Sequence, residues 1–239
     1  MKIALIGYGR MGKEIEAIAL KRNHEIVLKI DIDNPHEFSI ENLQEADVAI
    51  DFSVPSSAYT NIMRCFNANV PVVCGTTGWL DKYTEIVNTC KKKNCTFFYA
   101  SNFSVGVNLL FKLNKHLAKM MNKLPDYDVE IEEIHHIHKL DTPSGTAITL
   151  AKSIIEELER KKDWKPGTDD NKQTIHITSK RENEIPGIHA INYESEVDFI
   201  EIRHSAKSRK GFAVGAVLAA EFIYNKKGVY SMDDMMEVE

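Results

Sequence analysis

The apolar positions of the first hundred residues fall into short runs separated by stretches of mixed character. KIALIG, closed by glycine, suits a buried strand, and residues 11–21 follow as a helix. HEIVLKIDID is a second strand ending in acids, and ADVAIDFS a third. Pro55 reads as a break, with a helix beginning near Ser56. VPVVCGTTG is a strand ending on a Gly-Thr turn, residues 80–93 a helix, and CTFFYASNFS a strand entering a polar turn. A long amphipathic helix covers residues 107–123. Strand and helix alternate with short connections, which predicts a parallel sheet with helices on both faces.

The rhythm changes after Pro125. YDVEIEEIHHIH reads as a strand, residues 146–160 as a helix, and residues 161–172, with Pro166 and Gly167, as an exposed loop. TIHITSKR, GIHAINYES and VDFIEIRHSA follow as strands, and GFAVGAVLAAEFIY closes the series as an apolar helix. Strands grouped after one helix predict a separate α+β unit with a mixed or mostly antiparallel sheet. The expected class is α/β: a Rossmann domain over residues 1–103, to which residues 211–239 return, and an α+β domain over 104–210.

The 239 residues are 43% hydrophobic and 27% charged, with net charge −5. That supports an ordinary core. No basic block argues for nucleic acid. No apolar run approaches the ~20 residues that span a bilayer. Glycines interrupt the N-terminal apolar run before a signal-peptide core develops, so a cytoplasmic location is expected. Cys65, Cys74, Cys90 and Cys95 form no C-x-x-C pair and read as free thiols.

Candidate chemistry begins at GYGRMG: Gly7, Tyr8, Gly9, Arg10, Met11 and Gly12. A lone G-x-G-x-x-G is weak evidence, but this one follows the first strand and opens a helix. Gly7 permits the tight turn, Gly9 lets the backbone approach a pyrophosphate, and Gly12 brings the helix close to the strand. The helix N-terminus offers free N–H groups to phosphates. A ribose-binding acid is expected about 20 residues on. Asp31 stands 19 residues past Gly12, with Asp33 as its competitor. Two later strand ends, Gly75-Thr76-Thr77 and Ala100-Ser101-Asn102-Phe103, should border the same dinucleotide.

The segment EIHHIHKLDTPSGTA, residues 133–147, admits three readings. A metal site would use His135, His136 and His138, but adjacent strand residues face opposite ways and no third close ligand joins them. A polar strand end would keep the histidines in hydrogen bonds. A catalytic site would use a histidine for proton transfer, Lys139 as the cation for an anionic substrate, and Ser144, Gly145 and Thr146 at a helix start as an anion cradle.

The whole segment resembles the pattern E-x-H-H-x-x-K-x-D-x-P-S-G-T-A of the dihydrodipicolinate (4-hydroxy-tetrahydrodipicolinate) reductase family. GYGRMG, DFS, GTTG, SNFSVGV and RHSAKSRKGFAVGAV match in order, so the resemblance spans essentially the chain. It implies an NAD(P)H-dependent oxidoreductase of the diaminopimelate route to lysine, using NADH and NADPH, with a small dicarboxylate cyclic imine as substrate. It also implies a homotetramer built on the second domain's sheet. His135 and Lys139 match the family's catalytic proton-transfer groups. His136, Gly145 and Thr146 match its substrate ligands. Residues 7–12, Asp31, Gly75 to Thr77 and Ala100 to Phe103 match its cofactor contacts. His138 matches no role, and no metal is implied. Ile32, after Asp31, stands where an arginine could meet a 2′-phosphate, so a modest NADH preference is expected. Two rivals remain: another two-domain dehydrogenase such as aspartate dehydrogenase, which does not need the histidine-lysine run, and a non-catalytic nucleotide-sensing module.

Overall fold

The computed structural model describes residues 1–208 and 210–237. Arg209, within the C-terminal motif, and residues 238–239 lie outside them. The chain divides into two units, Met1–Val105 with Lys210–Glu239, and Gly106–Arg209.

In the first unit β1 (Lys2–Ile6), α1 (Arg10–Lys21) and β2 (Glu25–Ile30) are followed by a 3-10 turn and α2 (Ile40–Leu43). Then come β3 (Val48–Asp51), α3 (Pro55–Asn67), β4 (Val72–Cys74), α4 (Tyr83–Lys93) and β5 (Thr96–Tyr99). The second unit runs through α5 (Val105–Met121), β6 (Asp128–His135), α6 (Gly145–Glu157), β7 (Asp163–Pro166), β8 (Thr174–Arg181), β9 (Ile188–Glu194) and β10 (Phe199–Ser205). The chain then completes the first unit with α7 (Lys210–Ile223), β11 (Gly228–Tyr230) and α8 (Met232–Met235).

The first sheet is wholly parallel, in the order β11-β5-β4-β3-β1-β2. Its strands are apolar on both faces, as a sheet covered twice requires. Ile3, Leu5, Ile50, Val73 and Phe98 pack with Ile15 of α1 and Ala216, Val217 and Ala220 of α7. Ala4, Ile6, Val72, Cys74 and Phe97 pack on the other side with Ile62 and Phe66 of α3 and Ile86 of α4. From β1 the chain goes to β2 on one side and to β3 on the other. The carboxyl ends of β1 and β3 therefore form the switch point where α/β sheets bind ligands.

The second sheet is mixed, in the order β10-β9-β6-β8-β7. β6 runs parallel to β8 and antiparallel to β9. Val129 and Ile131 of β6, Ile175 and Ile177 of β8, and Ile191 and Tyr193 of β9 share one face. That face packs against Leu110 and Met121 of α5 and Leu150, Ala151 and Ile154 of α6.

Four local expectations change. Pro55 occupies the first turn of α3 rather than breaking the chain before it, since its missing N–H costs nothing there. Residues expected as an exposed loop contain β7, whose pairing with β8 and not its polar sequence makes it a strand. The strand expected over residues 127–138 stops at His135, so His136, His138 and Lys139 stand beyond it. β11 and α8, beyond the last expected helix, were not anticipated.

Candidate active site

The glycine loop joins β1 to α1 at the switch point. Gly7 has φ +90°, and a Cβ there would lie 2.3 Å from the Phe52 carbonyl oxygen. A Cβ on Gly12 would lie 2.3 Å from the Gly7 carbonyl oxygen, so Gly12 lets the helix approach the loop itself. Above Gly9 there is open space, with nothing within 4 Å of a Cβ. Gly9 is the N-cap of α1 and supplies no side chain to the first-turn N–H groups. This loop fits a dinucleotide pyrophosphate: room at Gly9, and uncapped donors with the positive end of a twelve-residue helix behind them.

Asp31 follows β2 directly and is exposed. Its Oδ1 accepts the Ile32 N–H (2.9 Å), and Asn34 Oδ1 accepts the Asp31 N–H (2.7 Å). The Gly7 N–H donates to the Ile30 carbonyl at 2.8 Å, which places Asp31 beside the glycine loop. Tyr8 donates its hydroxyl to Glu16, and Lys29 Nζ pairs with Glu16 at 3.2 Å and lies 4.9 Å from the centre of the Tyr8 ring. Ile32 is 87% exposed.

A buried carboxylate organises the two neighbouring strand ends. Asp51, the last residue of β3, accepts through Oδ1 from the Ser53 N–H (2.9 Å), the Ser53 hydroxyl (2.7 Å) and the Thr76 hydroxyl (2.9 Å). Burial pushes its carboxyl above the usual range, against the pull of these bonds. Thr76 is thus turned inward, while Thr77 is exposed. The Phe52 ring lies over Gly75, where a Cβ would meet it at 2.2 Å. Ala100 and Phe103 are buried in the core, and Ser101 is exposed. Asn102 Oδ1 accepts the Ser104 N–H at 2.9 Å.

In the second unit, core positions of β6 turn polar at its carboxyl end. Val129, Ile131, Glu133 and His135 alternate onto the helix-covered face, and Glu133 is 0% exposed. Glu133 Oε2 holds His135 Nδ1 and accepts from Arg181 Nη1 at 3.1 Å. Its Oε1 accepts from Arg181 Nη2 (2.9 Å) and from the Ser144 N–H (3.2 Å). Burial pushes the Glu133 carboxyl up, but the bonds from His135 and Arg181 outweigh it and hold it down at about 2. His189, opposite Glu133 on β9, stacks edge-on against His135 with ring centres 5.0 Å apart. Its Nε2 lies 3.1 Å from the Ser144 hydroxyl. Burial first, then the neighbouring charge of His135, pushes the His189 imidazole down to about 3.

Beyond β6 the chain turns, with the Lys139 N–H donating to the His136 carbonyl at 3.1 Å. Lys139 Nζ pairs with Asp141 Oδ1 at 2.8 Å. His138 reaches Glu184 at 3.0 Å, both largely exposed. After a cis Thr142–Pro143 bond, Ser144 caps α6 by accepting the Ala147 N–H at 3.2 Å. Gly145 and Thr146 form the first turn, and a Cβ on Gly145 would meet nothing within 4 Å. His135, the Lys139 turn and the start of α6 are therefore tied together through Glu133 and Arg181, whose Nη2 also donates to the Asp141 carbonyl at 2.7 Å. Among the described residues, no group of three or more His, Cys, Asp or Glu could hold a metal ion.

Sequence reasoning passed over Glu133, Arg181 and His189. The signal for Glu133 was present: it keeps the two-residue phase of Val129 and Ile131, where an acid has no place without partners. Arg181 and His189 become neighbours only through the register of β8 and β9.

Comparison with known proteins places these features in a family. The family model described as "Dihydrodipicolinate reductase, N-terminus" matches residues 1–103, and that described as "Dihydrodipicolinate reductase, C-terminus" matches residues 106–236. The chain is 54% identical to the 4-hydroxy-tetrahydrodipicolinate reductase of Christiangramia forsetii, covering 99% of this chain and 98% of that one. It is 37% identical to the enzyme of the same name from Thermosipho africanus, at 99% and 98% coverage. Among solved structures, the dipicolinate-bound dihydrodipicolinate reductase from Paenisporosarcina sp. TG-14 superposes with a TM-score of 0.83, at 24% identity and 99% coverage of both chains. That likeness shows a shared fold.

Proposed function

The chain belongs to the dihydrodipicolinate reductase family, and on that premise we propose that it reduces 4-hydroxy-tetrahydrodipicolinate, through its dehydrated form, to tetrahydrodipicolinate. The first unit is the dinucleotide-binding domain and the second holds the substrate. The observation that carries the assignment is the site on the second unit. There an imidazole is fixed through one nitrogen by a buried carboxylate, which also accepts the N–H of the residue capping an anion-binding helix start.

The glycine loop, residues 7–12, would hold a nicotinamide cofactor, whose chemistry there would be hydride donation. Gly145 and Thr146 hold a substrate carboxylate through first-turn N–H groups and the Thr146 hydroxyl, with His136 as a further ligand. Loss of water has made the ring a conjugated electrophile. As hydride adds, negative charge gathers toward the ring nitrogen and its neighbouring carbon. Lys139 and His135 stabilise that charge and deliver the proton that completes the two-electron reduction.

For the cofactor, Asp31 meets the ribose hydroxyls, and residues 7–12, Gly75 to Thr77 and Ala100 to Phe103 border the dinucleotide. Ile32 offers nothing to a 2′-phosphate, and Lys29 is paired with Glu16. NADH is modestly preferred and NADPH accepted. The chain works as a homotetramer in the cytoplasm. Supporting the assembly, Val197, Phe199 and Ile200 are exposed at and beside edge strand β10. No helix of the described residues is long and apolar enough to cross a membrane.

The test is a coupled assay in which the preceding synthase supplies fresh substrate and oxidation of NADH is followed. Lys139→Ala and His135→Ala should each lower turnover by ~10²–10⁴-fold with NADH affinity unchanged, and His138→Ala should be mild. No substrate-dependent NADH oxidation by the parent chain would reject the function. Turnover within threefold of the parent in either active-site variant would reject that residue's role.

A further inference from the structure

Glu133 is a full charge on the face where β6, as far as Ile131, places hydrocarbon. Four donors converge on its two oxygens, from three separate segments. Oε2 faces His135 Nδ1 and Arg181 Nη1; Oε1 faces Arg181 Nη2 and the Ser144 N–H. The guanidinium is fixed in turn. Nη1 donates to the Lys180 carbonyl at 2.7 Å, and Nη2 to the Asp141 carbonyl at 2.7 Å and the Thr142 hydroxyl at 3.0 Å. The carboxylate can therefore neither rotate nor retreat without breaking several charge-assisted bonds.

The consequence falls on the imidazole. With Nδ1 engaged, Nε2 is the nitrogen left to work. Its near side is kept clear by Gly187, where a Cβ would stand 3.0 Å from Nε2 and where φ is +154°. The His189 ring closes the flank of His135. A simple cross-strand ion pair between β6 and β8 would need Glu133 and Arg181, but neither the bond to His135 nor the bond to Ser144.

We propose that Glu133, clamped by Arg181, is the positioning residue of the reaction. It fixes His135 through Nδ1 so that Nε2 faces the substrate, and through the Ser144 N–H it holds the start of α6 in register with that nitrogen. Proton-transfer group and carboxylate cradle are then set by one side chain. The proposal rests on the assignment of His135 to proton transfer. A carboxylate in this relation to an imidazole selects its tautomer and favours the charged ring during proton transfer.

The test is a double-mutant cycle with Glu133→Gln and His135→Ala, read by kcat, KM and NADH affinity. Glu133→Gln should lower kcat by ~10²-fold and raise the substrate KM several-fold, with NADH affinity within twofold of the parent. In the His135→Ala background the same change should cost less than a further threefold in kcat, because the residue it acts through is gone. A second measurement needs no Glu133 variant: ring-nitrogen NMR of the parent chain at about pH 9, with His135 assigned by its absence in His135→Ala, should place the proton on Nδ1. A proton on Nε2, or a Glu133→Gln loss that multiplies in full onto that of His135→Ala, overturns the proposal while leaving the role of His135 intact. Unimpaired turnover in His135→Ala removes the assignment beneath it instead.

Discussion

Asp51 and Glu133 are both 0% exposed, and both stand at the carboxyl ends of strands beside a candidate binding loop. Their ionisation moves in opposite directions. Asp51 is surrounded by neutral donors, from Ser53 and Thr76, and burial wins: its carboxyl is pushed up. Glu133 meets a guanidinium and an imidazole, and burial loses: its carboxyl is held at about 2. Two carboxylates closed off from solvent thus take opposite ionisation, set by how deep each lies and by whether its partners carry charge. The difference extends to the two sites. The first unit presents backbone N–H groups and space, with its acid tying loops together from below. The second presents side chains that need a charged scaffold.

The contrast is sharpest when each acid becomes its amide. Glu133→Gln leaves Arg181 without its anion, and removing one partner of a buried pair costs about 3–5 kcal/mol. Asp51→Asn keeps an acceptor for its hydroxyl partners and should cost nearer 1 kcal/mol. Urea unfolding of both variants checks this, and equal losses would end the distinction.

Acid should separate the units next. Glu133 adds stability above its ordinary value of 4.5 that is lost as pH falls toward about 2. His189, with an ordinary value of 6.5 and held neutral down to about 3, adds stability above 6.5 that is lost as pH falls through that interval. Asp51 has the reverse sign: its raised value favours the fold below its ordinary 3.8, and that contribution fades as pH rises through the folded value. Amide hydrogen exchange should therefore show the paired strands β6 and β9 losing protection as pH falls from 6.5 toward about 3, before β3 does. Loss in the opposite order would contradict the signs.

Gly9→Ala probes a site made of space. The new methyl meets nothing in the protein, so thermal stability should hold while NADH affinity falls by about 10–100-fold, the cost of crowding a ligand by 1–3 kcal/mol. Unchanged affinity by calorimetry would move the pyrophosphate elsewhere. Thr146→Val probes a site made of side chains. Losing a hydrogen bond to a charged group, about 1.5–3 kcal/mol, should weaken binding of pyridine-2,6-dicarboxylate roughly tenfold or more. The smallest effect is expected from Ile32→Arg, a few-fold shift of kcat/KM toward NADPH that grows at low salt. A parent chain that already favours NADPH would instead implicate Arg10 or Lys29.

The two sites also differed in how openly the sequence declared them. Gly7, Gly9 and Gly12 are legible because a backbone site is specified by what is missing from side chains, at a fixed local spacing. His135, Lys139 and Thr146 lie close together in the chain, and family resemblance set them apart from a polar strand end. Glu133 and its partners were not legible in the same way. Arg181 lies 48 residues from Glu133 in sequence, and only strand register brings them into contact. The same limit explains β7: Asp163–Pro166 has no apolar alternation, and it becomes a strand because β8 offers it an edge. β11 escaped notice because three residues are too few to show a period.

β11 and α7 also bear on how the chain is made. β5 pairs with β4 on one side and β11 on the other, and the whole of the second unit is encoded between β5 and β11. On the ribosome, Thr96–Tyr99 therefore emerges as a bare sheet edge, with Phe98 lacking the α7 residues that later cover it. The first unit must wait in that state while the second is translated. Exposed edges and uncovered aromatic rings recruit other chains. This interval, and any chain cut short before Lys210, is where aggregation and chaperone capture should concentrate.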